Sequence, residues 1–465
     1  MPATFAEVVA SSAGLQLGMF VRDAGSWESF APLTGRGGRG VLQTVTLNHP
    51  ELSSGDILHL LAPSSLIRAV LNDWFTHIHP LAPVLHRRDF LTRFGENTAD
   101  PIFTGLVVSI LAATTATLRR KSFAEYHPIT PGRCIGIIQS HGLLPADGPY
   151  SLDWCIAKYN LATASMAQRG MSDPFVHRMV GEAVTGTGYL LAHNLAQMGV
   201  MQGELLKRLW CLLEVTLMCG SSKSRNTDMI GQPLLGRLVL SSNSSYLPRP
   251  YSDEDLAVSP STALPSSTSP SPSDKVTYVP GLTHLLSIFR TWDTCQTARS
   301  YRTPSQVLST ALADIQNTLD TLPPPLRWRG GLSRPAGATA GHDVQIANIF
   351  ITSLYVRSNL LQEFGHPLGS KADSIVDQEA ETQARSEHQS IVSDLLEVLC
   401  HLPRETLEAN GYSLIPKIRD IGGAYLDVLS VHANGQGEIV VIEDEAKAKL
   451  EALLLQLGIL DFRTS

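Results

Sequence analysis

Ser64-Ser-Leu-Ile-Arg-Ala-Val-Leu-Asn-Asp-Trp-Phe-Thr-His-Ile78 is the stretch that decides the fold of this 465-residue chain. Leu66, Ile67, Val70, Leu71, Trp74 and Ile78 recur at steps of three and four. At about 3.6 residues per turn, those steps place all six on one side of an α-helix. A strand would need steps of two. A helix carrying so wide an apolar stripe must bury it against other elements. Pro80 and Pro83 then end it, because proline lacks an N–H and its ring crowds the preceding turn.

The same periodicity continues downstream. A short helix is expected over 89–94, then a long apolar one from Pro101, with Asp100 as its cap and the proline in the first turn. Helices follow over 153–168, 173–198 (opened again by Asp173-Pro174) and 204–218. The last is apolar nearly all round and is expected at the centre of the core. Leu282, Leu285, Leu286, Phe289 and Trp292 form a further stripe. Leu308, Ala311, Leu312, Ile315, Leu319 and Leu322 form another behind Thr303-Pro304. Helices are also read over 344–363, 378–402, 412–431 and 443–457, and 438–442 is the one strand candidate. The fold class is all-α, a multi-helix domain with long Ser/Pro-rich and Pro/Gly-rich loops.

Composition divides the chain into parts. Residues 1–62 are weakly patterned, and Gly35-Arg36-Gly37-Gly38-Arg39-Gly40 reads as a flexible connector. Residues 63–256 form a first helical part, with a polar Ser/Asn-rich stretch from 220 to about 250. Residues 257–278 are a linker: SPSTALPSSTSPSPSD buries too little apolar surface to repay ordering, and suits phosphorylation. Residues 279–465 form a C-terminal helical part, interrupted by a Pro/Gly-rich loop over 323–341 and expected to pack on the first.

Hydrophobic residues make up 43% and charged residues 17%, a globular balance; the net charge is -7. A chain that grips phosphates directly needs a basic field. Arg87-Arg88 and Arg119-Arg120-Lys121 are too short for one and read as solvated helix ends. The six cysteines are scattered without a Cys-x-x-Cys, so no local zinc ribbon or redox motif forms, and an intracellular, reduced protein is expected. Residues 102–118 read as a buried helix rather than a membrane span, and no secretory leader is expected.

Catalytic signatures are missing. The chain has no G-x-S-x-G, no H-E-x-x-H, no Walker loop and no aspartate-rich diphosphate motif. Gly186-Thr187-Gly188 lacks a third glycine and a preceding strand, so it reads as helix. His77 and His79, two residues apart, cannot face one metal from a regular helix, and His86, His127 and His141 have no ligands at useful spacing. No catalytic residue, cofactor or metal ligand is assigned, and a non-enzyme is expected.

At Phe75-Thr-His-Ile-His-Pro-Leu-Ala-Pro-Val-Leu-His86, followed by Asp89-Phe90-Leu91, the chain resembles the opening of the fungal-specific transcription factor domain, the regulatory middle homology region of binuclear zinc-cluster activators. Gly188-Tyr-Leu-Leu-Ala-His-Asn-Leu-Ala-Gln-Met-Gly199, Lys207-Arg-Leu-Trp210 and Leu247-Pro-Arg-Pro-Tyr-Ser-Asp-Glu-Asp-Leu256 resemble later segments of that domain, in order. Leu322-Pro323, 345–361 and 408–420 look like the helical tail of a subgroup tied to metabolic gene clusters. Trp74, His79, Pro80, His86, Trp210, Pro248 and Pro250 mark the resemblance and are expected to be structural.

Two features differ from the family. Its six closely spaced zinc-binding cysteines have no counterpart in the chain, and Val215-Thr-Leu-Met218 stands where an acidic-arginine pair is common. The resemblance implies a nuclear regulator of metabolic genes, including secondary-metabolite clusters, that meets DNA only indirectly. Its implied partners are other transcription regulators, among them a zinc-cluster activator or a second copy as a homodimer, and a small-molecule effector between helices. No membrane partner is expected. A zinc-cluster exon upstream of Met1 would make it a conventional DNA-binding activator. The alternatives are an all-helical enzyme or a scaffold whose site is not visible in sequence.

Overall fold

The stripe quoted at the outset lies on helix α2 (Ser64–Asp73), preceded by α1 (Ser54–Leu61) and continued by one wider π turn, Trp74–Ile78. Ile67, Val70, Leu71, Trp74 and Ile78 are buried. In that wider turn the His79 N–H donates to the Trp74 carbonyl at 2.8 Å, and Pro80 offers no N–H to extend the ladder. The computed structural model describes residues 54–96, 100–221, 246–257, 276–365, 375–430 and 444–460. Among them it is all helix, with no strand.

The first helical part is assembled around α4 (Pro101–Thr117), which is buried without interruption from Phe103 to Ala116. Asp100 caps it, its Oδ1 accepting from the Ile102 N–H at 2.9 Å. Polar side chains survive in this core because they bond back along the helix. Thr114 and Thr115 donate to the Ile110 and Leu111 carbonyls at 2.7 and 2.8 Å. The chain then bends by 105° into α5 (Arg119–Glu125). Among the described residues no single helix is long and apolar enough to cross a membrane.

Around α4 pack α2, α6 (Pro131–Ser140) and α7 (Leu152–Arg169). Helix α7 also carries α8 (Pro174–His193), and α8 carries α9 (Val200–Ser221). The short α3 (Arg87–Gly95) sets Phe90 against Phe75 and Phe103, and it begins two residues before the expected position because the His86 ring caps it. Helix α8 ends at His193, short of the expected 198, where a single 3-10 turn takes over.

The second part is built on α13 (Ala340–Phe364), enclosed by α11 (Val279–Ala298), α12 (Pro304–Asp320), α14 (Ile375–His401), α15 (Arg404–Ala409) and α16 (Ile415–Ser430). Helix α17 (Asp444–Leu460) lies on α14 and α16. Thr303 and Gln306 form a reciprocal capping box at the head of α12. Contacts of α9 with α11, and of α13 with the π turn, join the two parts, which belong to one unit over Ser53–Ser465. The other unit, Met1–Leu52, lies outside the described residues, as do the linker tract 259–274, most of the Ser/Asn-rich stretch, and the strand candidate 438–442.

Three expectations need correction. The weakly patterned segment ends sooner than residue 62, because α1 buries Ile57 and Leu61. Helix α9 is not the most enclosed: α4 and α13 are, while α9 carries buried Glu204, Arg208 and Glu214 among its apolar residues. Finally, Arg119-Arg120-Lys121 is not a solvated end. Arg119 bonds to the Ala167 carbonyl, Arg120 to the Ile459 carbonyl, and Lys121 Nζ lies 2.9 Å from Asp73 Oδ1. Tyr126 donates to the other Asp73 oxygen at 2.6 Å. Those bases hold α5 against three other segments.

Candidate functional site

Two of the places where polar side chains gather are a groove along α8 and a junction around α9. The first is an open groove of about 730 Å³ along α8, beside the loop that leads into α7. A volume of that size suits a small organic molecule. Its aromatic side is Tyr150 and Trp154, with ring centroids 5.4 Å apart. Ser151 caps α7, its Oγ accepting from the Trp154 N–H at 3.2 Å, and the indole Nε1 donates to the Pro145 carbonyl at 3.0 Å. These bonds fix the ring.

The opposite side is a face of α8. His177, Gly181 and Thr185 follow one another at helical spacing, with Arg178 and Glu182 one residue further on. Lys158, itself buried, lies 2.6 Å from Glu182 Oε2 and sits 4.7 Å from the Trp154 ring centroid. Arg178 Nε stands 4.0 Å from Glu182 Oε1, and its side chain is 61% exposed. Helix and aromatic loop approach closely because Gly186 has no side chain. A Cβ there would stand 2.8 Å from Cys155 Sγ and 3.1 Å from Tyr150 Cδ1. Gly186-Thr187-Gly188 is thus packing surface inside a helix, not a phosphate loop.

The second place is a buried junction around α9. Residues 249–253 form a strap gripped at every second position. The Arg249 N–H donates to Glu204 Oε2 at 2.8 Å, the Tyr251 carbonyl accepts from Arg208 Nη2 at 2.7 Å, and the Asp253 carbonyl accepts from His86 Nε2 at 3.0 Å. Arg208 also donates to the Pro83 carbonyl at 3.2 Å. The other His86 nitrogen, Nδ1, accepts from the Asp89 N–H at 3.2 Å, so a single tautomer serves both bonds. The strap then enters α10 (Asp253–Ala257), where Ser252 and Asp255 form a reciprocal cap.

The seven resemblance markers divide between this junction and its surroundings. Trp74 and His79 are buried in an aromatic cluster with Phe75 and Tyr278. Burial lowers the His79 pKa to about 4. The Pro80 carbonyl accepts from Gln345 Nε2 at 2.9 Å, which also reaches the Tyr278 carbonyl at 2.7 Å. Pro248 is buried and Pro250 exposed on the strap. Trp210 is half-buried and stands apart, its ring 3.6 Å from where a Gly188 Cβ would be.

Among the described residues no group of three His, Cys, Asp or Glu, His77, His79 and His86 included, is placed to hold a metal ion. Four cysteines are buried, Cys134, Cys155, Cys211 and Cys295. Burial pushes the first three thiols up to about 12. The groove residues went unread in the sequence. Their signal was a polar set at steps of four within α8, the pattern 177, 181, 185 beside 178, 182. Comparison with family models, characterised proteins and solved structures finds no match for the chain.

Proposed function

We propose that the chain is a nuclear, all-helical regulatory module that controls transcription of fungal metabolic genes through partner proteins. What supports this reading is the junction around Arg208. Segments singled out in the sequence at 75–91, 207–210 and 247–256 are far apart along the chain, yet one guanidinium bonds the carbonyls of Pro83 and Tyr251. Short motifs scattered by chance have no reason to share one buried polar centre. A module of this kind acts through contact with a zinc-cluster activator or with a second copy, and takes its signal from a small effector.

The test is to fuse the chain to a heterologous DNA-binding domain and measure a reporter in a filamentous fungus, alongside affinity capture from nuclear extract. A changed reporter level together with recovery of zinc-cluster activators supports the proposal. An unchanged reporter together with recovery of cytosolic complexes alone rejects it in favour of a scaffold.

A further inference from the structure

We infer that the groove between Tyr150 and the Arg178 face of α8 is a binding site for a planar aromatic carboxylate. This deepens the regulatory reading and rests on it only for the consequence of binding, not for binding itself.

Three observations carry the assignment. The first is shape. Tyr150 and Trp154 supply ring surface on one side of the groove, and Gly181 leaves the facing helix bare. Nothing lies within 4 Å of a Cβ built on Gly181, so packing does not demand a glycine there. Glycine inside a helix is less favourable than alanine. What its missing side chain provides is the open space of the groove.

The second is charge. Glu182 is the one carboxylate among the lining residues, and Lys158 already meets it from beneath at 2.6 Å. Arg178 stands off at 4.0 Å and remains mostly exposed. Two cations therefore share one carboxylate, which leaves about one positive charge at the rim. A guanidinium presents paired N–H donors in the geometry a carboxylate accepts. An anionic group completes the set, whereas an ammonium would compete with Lys158 for Glu182 and for the Trp154 ring.

The third is rigidity. The ring of Trp154 is tied to Pro145, and α7 is pinned to α8 through the close approach at Gly186. The ring surface and the helix face are set before a ligand arrives, so little ordering cost falls on binding.

The test uses the full chain with 2-naphthoate as probe and 2-naphthamide as its neutral shape match, followed by titration calorimetry and tryptophan fluorescence. Saturable binding of the acid at one site is expected, with the amide at least tenfold weaker. Gly181→Leu fills the space and abolishes binding, and Arg178→Gln weakens it at least tenfold, each with wild-type circular dichroism and melting temperature. Equal affinity for acid and amide, undiminished binding by Gly181→Leu, or no binding of 2-naphthoate would each overturn the assignment. Because the readout is binding, a chain that takes the acid but leaves the reporter unchanged refutes the regulatory proposal alone.

Discussion

Arg208 places its Nη2 2.7 Å from the Tyr251 carbonyl oxygen while the side chain is only 2% exposed. A buried guanidinium needs partners for its donors, and here main-chain oxygens from two distant segments each take one bond, Pro83 from Nη1 and Tyr251 from Nη2, while Nε is left without one. Arg208→Ala should cost about 2–4 kcal/mol, since two carbonyls lose a charged donor in a buried setting. Urea unfolding measures the loss. Limited chymotrypsin digestion should also cut after Tyr251 sooner in the variant, because the strap is freed first. Unaltered cleavage and stability would show that the junction does not hold the strap.

His79 gives the acid response a local cause. Its folded pKa of about 4 lies below the ordinary 6.5, chiefly through burial. The unfolded chain therefore takes up the proton first as pH falls. The stabilising contribution is complete above pH 6.5 and is lost between 6.5 and 4, on the order of 2–3 kcal/mol. His79→Phe keeps a ring against Trp74, Phe75 and Tyr278 and removes that proton. The variant should lose less stability than the wild type between pH 7 and 4.5, measured by denaturant midpoints. Parallel curves would refute the assignment.

Gly281, near the start of α11, is where Gln345 passes. A Cβ there would lie 2.3 Å from the Gln345 amide carbon and nitrogen. Gly281→Ala therefore displaces the amide that serves both Pro80 and Tyr278, at about 2–3 kcal/mol. Gln345→Ala alone strips the same bonds. In a double-mutant cycle the two losses should be far from additive, with a coupling of about 1 kcal/mol or more. Additive losses would mean that the glycine serves another neighbour.

Thiol labelling should separate the cysteines by burial. Cys400 is exposed, while Cys134, Cys155 and Cys211 are enclosed with their thiols pushed up to about 12. Maleimide at neutral pH should label Cys400 within minutes, and the other three only as fast as the chain opens. Peptide mass mapping over time distinguishes the classes. Early modification of Cys155 would place the α7–α8 contact at a mobile surface.

The helices were legible wherever an apolar stripe met a cap. Asp100-Pro101, Asp173-Pro174 and Thr303-Pro304 marked starts that α4, α8 and α12 adopt, because a cap acts over three or four residues and is written locally. Helices α5 and α6 were missed. Phe123 on α5 is 69% exposed and that helix makes no stripe, whereas α6 carries a short one, Pro131, Cys134, Ile135 and Ile138 behind the Thr130 cap, that went unread. The relative enclosure of α4, α9 and α13 was also beyond local pattern, since it depends on how many neighbours each helix receives.

The groove was less legible still. Arg178 and Glu182 look like any surface pair one turn apart, and Gly181 like any helix weak point. Only the approach of Tyr150 across the Gly186 contact gives them a common space. The junction shows the reverse case. His86 and the Lys207–Trp210 segment that holds Arg208 stood out in sequence, but the partners of both side chains are main-chain groups, which no side-chain pattern reveals.

That choice of partner has a consequence for how the protein tolerates change. Glu204 fastens the N–H of residue 249, Arg208 and His86 the carbonyls of residues 251 and 253, and peptide groups are alike in every residue except proline. Drift in the identities of Tyr251 or Asp253 can leave the fastening intact, whereas a single exchange on α9 undoes it wherever the drift has led.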